Sequence, residues 1–153
     1  MLVEPPLHAK RHPSPRLLRG VILATLRGRR DPRAGADRFL RWALRDSAQR
    51  RPEDAVPAGW WAAMLANGAA IVHEIGLGTG EHLTTADLGR IQRPTVVLHG
   101  DRSDPDFARA ARRLARAIPA ARLEAVTGSG HAMQVDRPDV IATAVDSLSP
   151  AAP

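Results

Sequence analysis

Apolar residues in the C-terminal third of the chain change spacing twice, and each change marks a new element. Thr95 to His99 is a short β-branched and apolar run closed by Gly100, which predicts a buried strand. From Pro105 to Ile118 the apolar residues recur at helical spacing, with arginines on the opposite face. Leu123 to Thr127 predicts a second strand. A strand, a helix and a strand within roughly 30 residues form one βαβ unit, so we expect the two strands to be parallel.

Both predicted strands end in polar loops that contain glycine. Gly100 to Asp104 follows the first strand, and Gly128 to His131 follows the second. Open parallel sheets bind their ligands at the carboxyl ends of the strands. We therefore expect these two loops to meet at one edge of the sheet and to form a site there.

Helical spacing also dominates the chain upstream of residue 91 and downstream of residue 137. The predicted helices run from Arg16 to Leu26, Gly35 to Leu44, Gly59 to Ile75, Thr85 to Ile91 and Pro138 to Leu148. The pattern thus predicts a mainly helical segment followed by an α/β segment.

The two strand-end loops carry a pattern that resembles the C-terminal end of the α/β-hydrolase superfamily. In that family a penultimate strand ends in Gly-x-x-Asp, and the last strand ends in a Gly-x-Gly-His turn that bears the catalytic histidine. Here Gly100-Asp-Arg-Ser103 and Gly128-Ser-Gly-His131 stand at those places. Asp136-Arg-Pro138 follows, as a short acidic-x-Pro turn does in the family. The resemblance is close over residues 91–148 and looser elsewhere.

The resemblance implies an α/β fold class: an incomplete α/β-hydrolase fold with a short parallel sheet, flanking helices and a helical lid. In this interpretation Met1 begins in the middle of a domain, because the first seven residues resemble the end of a strand that precedes the lid in such enzymes. The expected divisions are residues 1–7 as the end of a core strand, residues 8–90 as the lid or cap, residues 91–148 as the C-terminal core and residues 149–153 as a frayed tail.

A hydrolase of this family needs a nucleophile, a histidine and an acid. The resemblance gives the histidine role to His131. The usual acid position, three residues after Gly100, holds Ser103, which cannot stabilise an imidazolium as an anion would. Two candidates for the acid remain open: Glu4, because some members place the acid after the preceding strand, and Asp104, which adjoins the usual position.

A nucleophile is missing from the sequence. No Gly-x-Ser-x-Gly occurs, and Gly76-Leu-Gly-Thr-Gly80 has a glycine at its centre and follows a helical run, so we expect it to be a lid turn. The complete enzyme would hydrolyse an ester or a related small apolar substrate, and this chain alone would be inactive. The alternative is a non-enzymatic binding or interaction protein that reuses the half-fold, with an oligomer or a partner chain covering the incomplete sheet.

Composition narrows the remaining possibilities. The net charge of +6 invites a nucleic-acid interpretation, but the arginines are spread over helix faces and only 3% of residues are aromatic, so we expect no nucleic-acid partner. No cysteine is present to act as a nucleophile. His73, Glu74 and His82 match no zinc spacing, and we expect neither a metal nor a cofactor. Without a signal peptide or a membrane-length apolar run, we expect a cytoplasmic protein with no membrane partner.

Overall fold

The middle strand of a parallel sheet forms the centre of the structure. In a computed structural model, which describes residues 1–4, 14–48, 50–77 and 84–148, three strands pair in the order β1 (Leu2–Val3), β2 (Thr95–Gly100) and β3 (Ala121–Val126). All neighbours are parallel, with Leu2 opposite Val97 at the first pairing. The second pairing runs from Thr95 opposite Ala121 to Gly100 opposite Val126. The predicted βαβ unit is confirmed.

Eight α-helices and one 3₁₀ helix (Pro52–Ala55) accompany the sheet within the described residues. Five α-helices precede β2 and are called here the helical segment, one connects β2 to β3, and two close the chain. Their bounds are α1 Pro15–Gly28, α2 Pro32–Ala43, α3 Trp60–Ala66, α4 Gly68–Leu77, α5 Thr85–Gly89, α6 Pro105–Ala117, α7 Met133–Asp136 and α8 Pro138–Asp146. No helix in this described part is both long and apolar enough to cross a bilayer.

Proline and capping side chains set the starts of the long helices. A proline occupies the first turn of α1, α2 and α6, where its missing N–H leaves no hydrogen bond unmade. Ser14, Asp31 and Asp104 precede these prolines, and each side chain accepts a hydrogen bond from a backbone N–H of the first turn. The sequence therefore specifies where each of these helices begins.

Strand β2 is buried on both faces. Val97 belongs to one apolar cluster with Leu114 and Ile118 of the α6 side. Val96 and Leu98 point to the other face, with Met133 and Ala144 of α7 and α8 among the residues packed there. Each such side chain contributes roughly 1.5–3 kcal/mol when fully buried. This sandwiched strand carries the loop that begins at Gly100 and fixes its position.

The helical segment has an apolar core of its own and touches the sheet segment through aromatic rings. Ala36, Leu40 and Leu65 form that core between α2 and α3. The ring of Trp42, from α2, lies 5.8 Å from the ring of Phe107 at the start of α6. The segment is thereby held against the sheet edge at which β2 ends.

The predicted helix over residues 59–75 is wrong in one respect, because the structure divides it at Asn67 into α3 and α4. The backbone N–H of Asn67 bonds back to α3, and its side chain donates to the Ala63 carbonyl at 3.2 Å. At Gly68 a Cβ would lie 2.7 Å from the Pro32 carbonyl oxygen. Asn67, with φ −87° and ψ 19°, departs from helical geometry and ends α3, and Gly68 lets the start of α4 pack closely on α2.

Four sequence predictions fall wholly or partly outside the described residues. These are the last three residues of the strand end at 1–7, the first residues of the lid (8–13), the glycine turn from residue 78 onward, and the tail from residue 149. His82 also lies outside them, whereas Gly76 ends up inside α4.

An ion pair joins the segment after α2 to Asp136, the last residue of α7, which follows His131. Arg50 donates hydrogen bonds of 2.8 and 3.0 Å to the two carboxylate oxygens of Asp136, and one of 2.8 Å to Asp46. Asp136 also accepts from the Gly130 N–H at 2.8 Å. Burial raises the pKa of Asp136, but the hydrogen bonds from Arg50 and Gly130 outweigh burial and hold that pKa below its ordinary value of 3.8.

Replacing Gly35 with alanine should destabilise the fold. A Cβ there would lie 2.5 Å from the Gly28 Cα and 2.8 Å from the Ala24 carbonyl oxygen, and backbone atoms of α1 cannot yield as a side chain would. We expect a loss of about 2 kcal/mol in urea unfolding. Gly76→Ala is the matched control, since its Cβ would meet only Thr25 Cγ2 at 3.7 Å. It should be neutral or stabilising by up to about 1 kcal/mol, and equal losses in both variants would contradict the packing described.

The ion pair of Asp136 should make the free energy of unfolding depend on pH in the acid range. A carboxyl whose folded pKa is lowered stabilises the fold fully above its unfolded pKa, and this contribution is lost as the pH falls through the folded pKa. The free energy of unfolding should therefore drop below about pH 4, and Asp136→Asn should flatten that drop. The exposed Asp54→Asn should keep it. An unchanged slope in Asp136→Asn would show that the pair contributes nothing to folding.

Candidate active site

The acid candidate at the end of β1 and the histidine candidate at the end of β3 are in direct contact. Glu4 Oε2 lies 2.6 Å from His131 Nδ1, across 127 residues of sequence. Glu4 Oε1 accepts a hydrogen bond of 2.7 Å from the backbone N–H of Gly100. The Glu4 side chain has no solvent exposure. Two donors therefore hold one buried carboxylate between the ends of three strands.

The backbone of Glu4 is unusual for a residue with a side chain. Its φ is +36°, in the left-handed region that non-glycine residues seldom adopt. Its N–H still donates to the Leu98 carbonyl at 3.0 Å, which extends the pairing of β1 with β2. Backbone strain of this kind persists where the surroundings over-determine it, and it is concentrated at functional sites.

The loops after β2 and β3 pack directly on each other. A Cβ at Gly100 would lie 2.2 Å from the Ser129 carbonyl oxygen, so only glycine permits this approach. The Arg102 N–H donates to the same Ser129 carbonyl at 3.0 Å, and Asp101 accepts from the Gly128 N–H at 2.9 Å. The structure thus confirms that the two loops meet at the carboxyl edge of the sheet.

His131 presents one nitrogen to the acid and keeps part of its ring open. Because a carboxylate only accepts hydrogen bonds, the contact with Glu4 assigns the proton to Nδ1 and leaves Nε2 as the basic nitrogen. The side chain is 29% exposed. Its ring stacks on Phe107 with centroids 4.1 Å apart and planes 18° apart. This arrangement orients an imidazole that could accept a proton from a group above the sheet edge.

The second acid candidate, Asp104, has a different set of contacts. Its carboxylate accepts from the Asp106 N–H at 3.0 Å and caps α6, and its side chain makes no hydrogen bond to His131. Ser103, at the position where the family pattern has aspartate, is buried, and its hydroxyl has no hydrogen-bond partner in the part of the chain that the structure describes. Ser129 donates to the Gly130 carbonyl at 3.0 Å. Of the two acids that the sequence left open, Glu4 is the one that contacts the histidine.

The sequence pattern did not reveal two residues that orient the histidine turn, Phe107 and Asp136. Phe107 lies in the run predicted as the helix from Pro105 to Ile118, and the structure shows that it also stacks on the imidazole ring. Asp136 was seen only as part of a turn, although it holds the Gly130 N–H directly before His131 and is itself held by Arg50. The only local signal was the position of Asp136 shortly after the histidine turn.

No metal site is evident in the described ranges. They contain no group of three or more His, Asp or Glu side chains that could hold an ion. His73 and Glu74 lie exposed on α4.

A solved structure shares this fold. The 2-hydroxy-6-oxo-6-phenylhexa-2,4-dienoate hydrolase from Rhodococcus sp. strain RHA1 superposes with a TM-score of 0.56 at 15% sequence identity. The match covers 93% of this chain and 51% of that one, so the present chain spans about half the length of that hydrolase. No curated protein matches the chain.

The family comparison covers nearly the whole sequence. A model described as the alpha/beta hydrolase family matches residues 1–144, which include Glu4, both strand-end loops and His131. This agrees with the resemblance in the loop motifs and with the parallel sheet. The chain belongs to the alpha/beta hydrolase family.

Proposed function

We propose that this chain carries the acid and histidine of a hydrolase site, with Glu4 as the acid and His131 as the general base. The observation that carries the proposal is the 2.6 Å contact between Glu4 Oε2 and His131 Nδ1. Two strand ends that are far apart in sequence bring these groups together at the sheet edge where such sites occur. Asp104 is assigned to capping α6, and it has no catalytic role in this proposal.

The two groups would act as the corresponding members of a catalytic triad do. Nε2 of His131 would take the proton from a hydroxyl nucleophile as it attacks the substrate carbonyl, and would return that proton to the leaving alkoxide. Glu4 would hold the ring in the Nδ1–H tautomer and stabilise the imidazolium. The absence of solvent at Glu4 strengthens this electrostatic effect.

The aromatic rings next to the histidine support a substrate with an apolar body. Phe107 lies under the imidazole, Trp42 lies 5.8 Å beyond Phe107, and Phe39 lies 5.8 Å beyond Trp42. This row of aromatic rings leads from His131 into the helical segment, which we propose acts as the lid. An ester or a related small substrate with an apolar body fits such a wall.

A second candidate function is the non-enzymatic interaction protein. One observation favours it: Leu18, Ile22 and Leu26 follow one another at one-turn intervals along α1 and are each 45–51% exposed. A partner that buried this stripe would remove exposed apolar surface from water. A chain that runs as a single monodisperse oligomer in size-exclusion chromatography would support this alternative.

Glu4→Gln tests the proposed pair directly. A carboxamide has one acceptor oxygen, whereas Glu4 accepts from both His131 Nδ1 and the Gly100 N–H. The amide NH₂ group would then face His131 Nδ1, so the ring would have to change to its Nε2–H tautomer, and both hydrogen bonds to a charged acceptor would be lost. We expect a loss of about 2 kcal/mol in the free energy of unfolding. Glu124→Gln is the matched control at an exposed ion pair and should change stability by less than about 0.5 kcal/mol. Equal stability of Glu4→Gln and the wild type would contradict the two-donor arrangement.

The purified 153-residue chain should not hydrolyse p-nitrophenyl acetate above the background rate. The sequence provides the proton acceptor but no Gly-x-Ser-x-Gly turn to carry the attacking hydroxyl. The rates of the wild type, of His131→Ala and of the exposed control His73→Ala should be equal, and a fluorophosphonate probe should label no residue. Hydrolysis that is lost in His131→Ala and kept in His73→Ala would reveal a nucleophile within these residues.

A further inference from the structure

A cleft in the helical segment is rich in arginine, which makes up half of its lining among the described residues. It lies along α1 and α2 and has a volume of about 680 Å³. Seven arginines and three aspartates line it, which gives a formal excess of four positive charges. The charged residues are Arg16, Arg19, Arg27, Asp31, Arg33, Asp37, Arg38, Arg41, Arg45 and Asp104.

Each of the three carboxylates of the cleft already accepts a hydrogen bond from the protein. Asp37 accepts from Arg41 at 2.9 Å, and Arg41 also binds Glu53. Asp31 and Asp104 cap the helices that follow them. The other six arginines of the cleft form no ion pair with a carboxylate of the described residues. Ion pairs are common elsewhere, since six arginines outside the cleft form one within the described residues. The cleft therefore concentrates positive charge that the fold does not neutralise.

A second observation marks the same cleft. Trp42 forms part of its wall, and the indole N–H of Trp42 is buried without a hydrogen-bond acceptor among the described residues. Buried donors are nearly always paired, and the described residues provide no acceptor for this one. Oxygen atoms of an anion would pair with the guanidinium groups that line the cleft.

The size and charge of the cleft define the ligand class. Arg16 to Arg27 spans about 16 Å of α1, and Arg33 to Arg41 spans about 12 Å of α2, at about 1.5 Å per residue, while Arg45 lies just beyond the end of α2. A volume of about 680 Å³ falls in the range of small-molecule sites, about 300–1,000 Å³. The guanidinium fork matches phosphate and carboxylate oxygens in pairs. We propose that this cleft binds an extended small molecule that carries two or more phosphate or carboxylate groups.

The site is separate from the proposed hydrolytic pair. His131 and Glu4 do not line the cleft, and Trp42 with Phe107 lies between the cleft and the imidazole. Binding can therefore be measured without any hydrolysis, and a failure of one proposal leaves the other standing.

Isothermal titration calorimetry of the purified chain tests the proposal with three anions at constant ionic strength. Tripolyphosphate and citrate represent the two kinds of anionic group, and acetate represents a single charge. We expect saturable binding of one tripolyphosphate or citrate per chain, and at least about tenfold weaker binding of acetate. The stronger of the two polyvalent anions identifies the group that the cleft prefers. Three linear, non-saturating titrations would overturn the proposal.

Two triple variants, each of which loses three positive charges, distinguish a specific binding site from general electrostatic attraction. The cleft variant removes three charges from the cleft by replacing Arg19, Arg38 and Arg45 with glutamine. The α6 variant removes three exposed charges outside the cleft by replacing Arg112, Arg113 and Arg116 with glutamine. The cleft variant should weaken binding at least about tenfold and the α6 variant less than about twofold. Equal weakening would show attraction by net charge only.

Two further measurements complete the test. Circular dichroism melting should show that both triple variants fold. If the cleft variant does not fold, the double variant Arg27→Gln with Arg33→Gln takes its place. The second measurement is the binding of a short DNA duplex. If the duplex binds, tripolyphosphate does not bind at the same concentrations, and the cleft variant abolishes duplex binding, the small-molecule site is overturned.

Discussion

The structure depends on one buried carboxylate that is held by two N–H donors. A carboxylate removed from water is costly unless hydrogen bonds replace its hydration. Glu4 receives one hydrogen bond from Gly100, at the end of β2, and one from His131, after β3. The residue itself ends β1 in a left-handed conformation. The contact is thus possible only when all three strands are in register, so the fold and the candidate site are specified by the same interaction.

The elements around this carboxylate orient the histidine from several sides. Phe107 stacks on its ring, and Asp136 holds the N–H of the preceding Gly130. Arg50 joins Asp136 to the segment that follows α2, while Trp42 packs on Phe107. The helical segment is consequently connected to the histidine turn by an ion pair and by aromatic contacts. A change in the position of that segment would be transmitted to the imidazole.

Much of the α/β segment could be predicted from the sequence because its apolar spacing is unambiguous. The bounds of β2, α6 and β3 agree with the predictions to within about two residues, and family resemblance alone brought Glu4 and His131 into consideration. The break at Asn67 could not be predicted, since the apolar spacing continues through it and the departure lies in the backbone angles of one residue. The Arg50–Asp136 pair joins residues 86 positions apart with no local signal. Long-range polar contacts of this kind depend on the packing of whole elements.

The most direct test of the account is the state of the ring nitrogens of His131, measured by ¹⁵N-edited NMR at neutral pH. We expect that Nδ1 carries the proton, that this proton resonates at low field, and that it exchanges slowly with water because the buried Glu4 carboxylate accepts it. A neutral ring protonated at Nε2, or an Nδ1 proton in free exchange with water, would contradict the central contact.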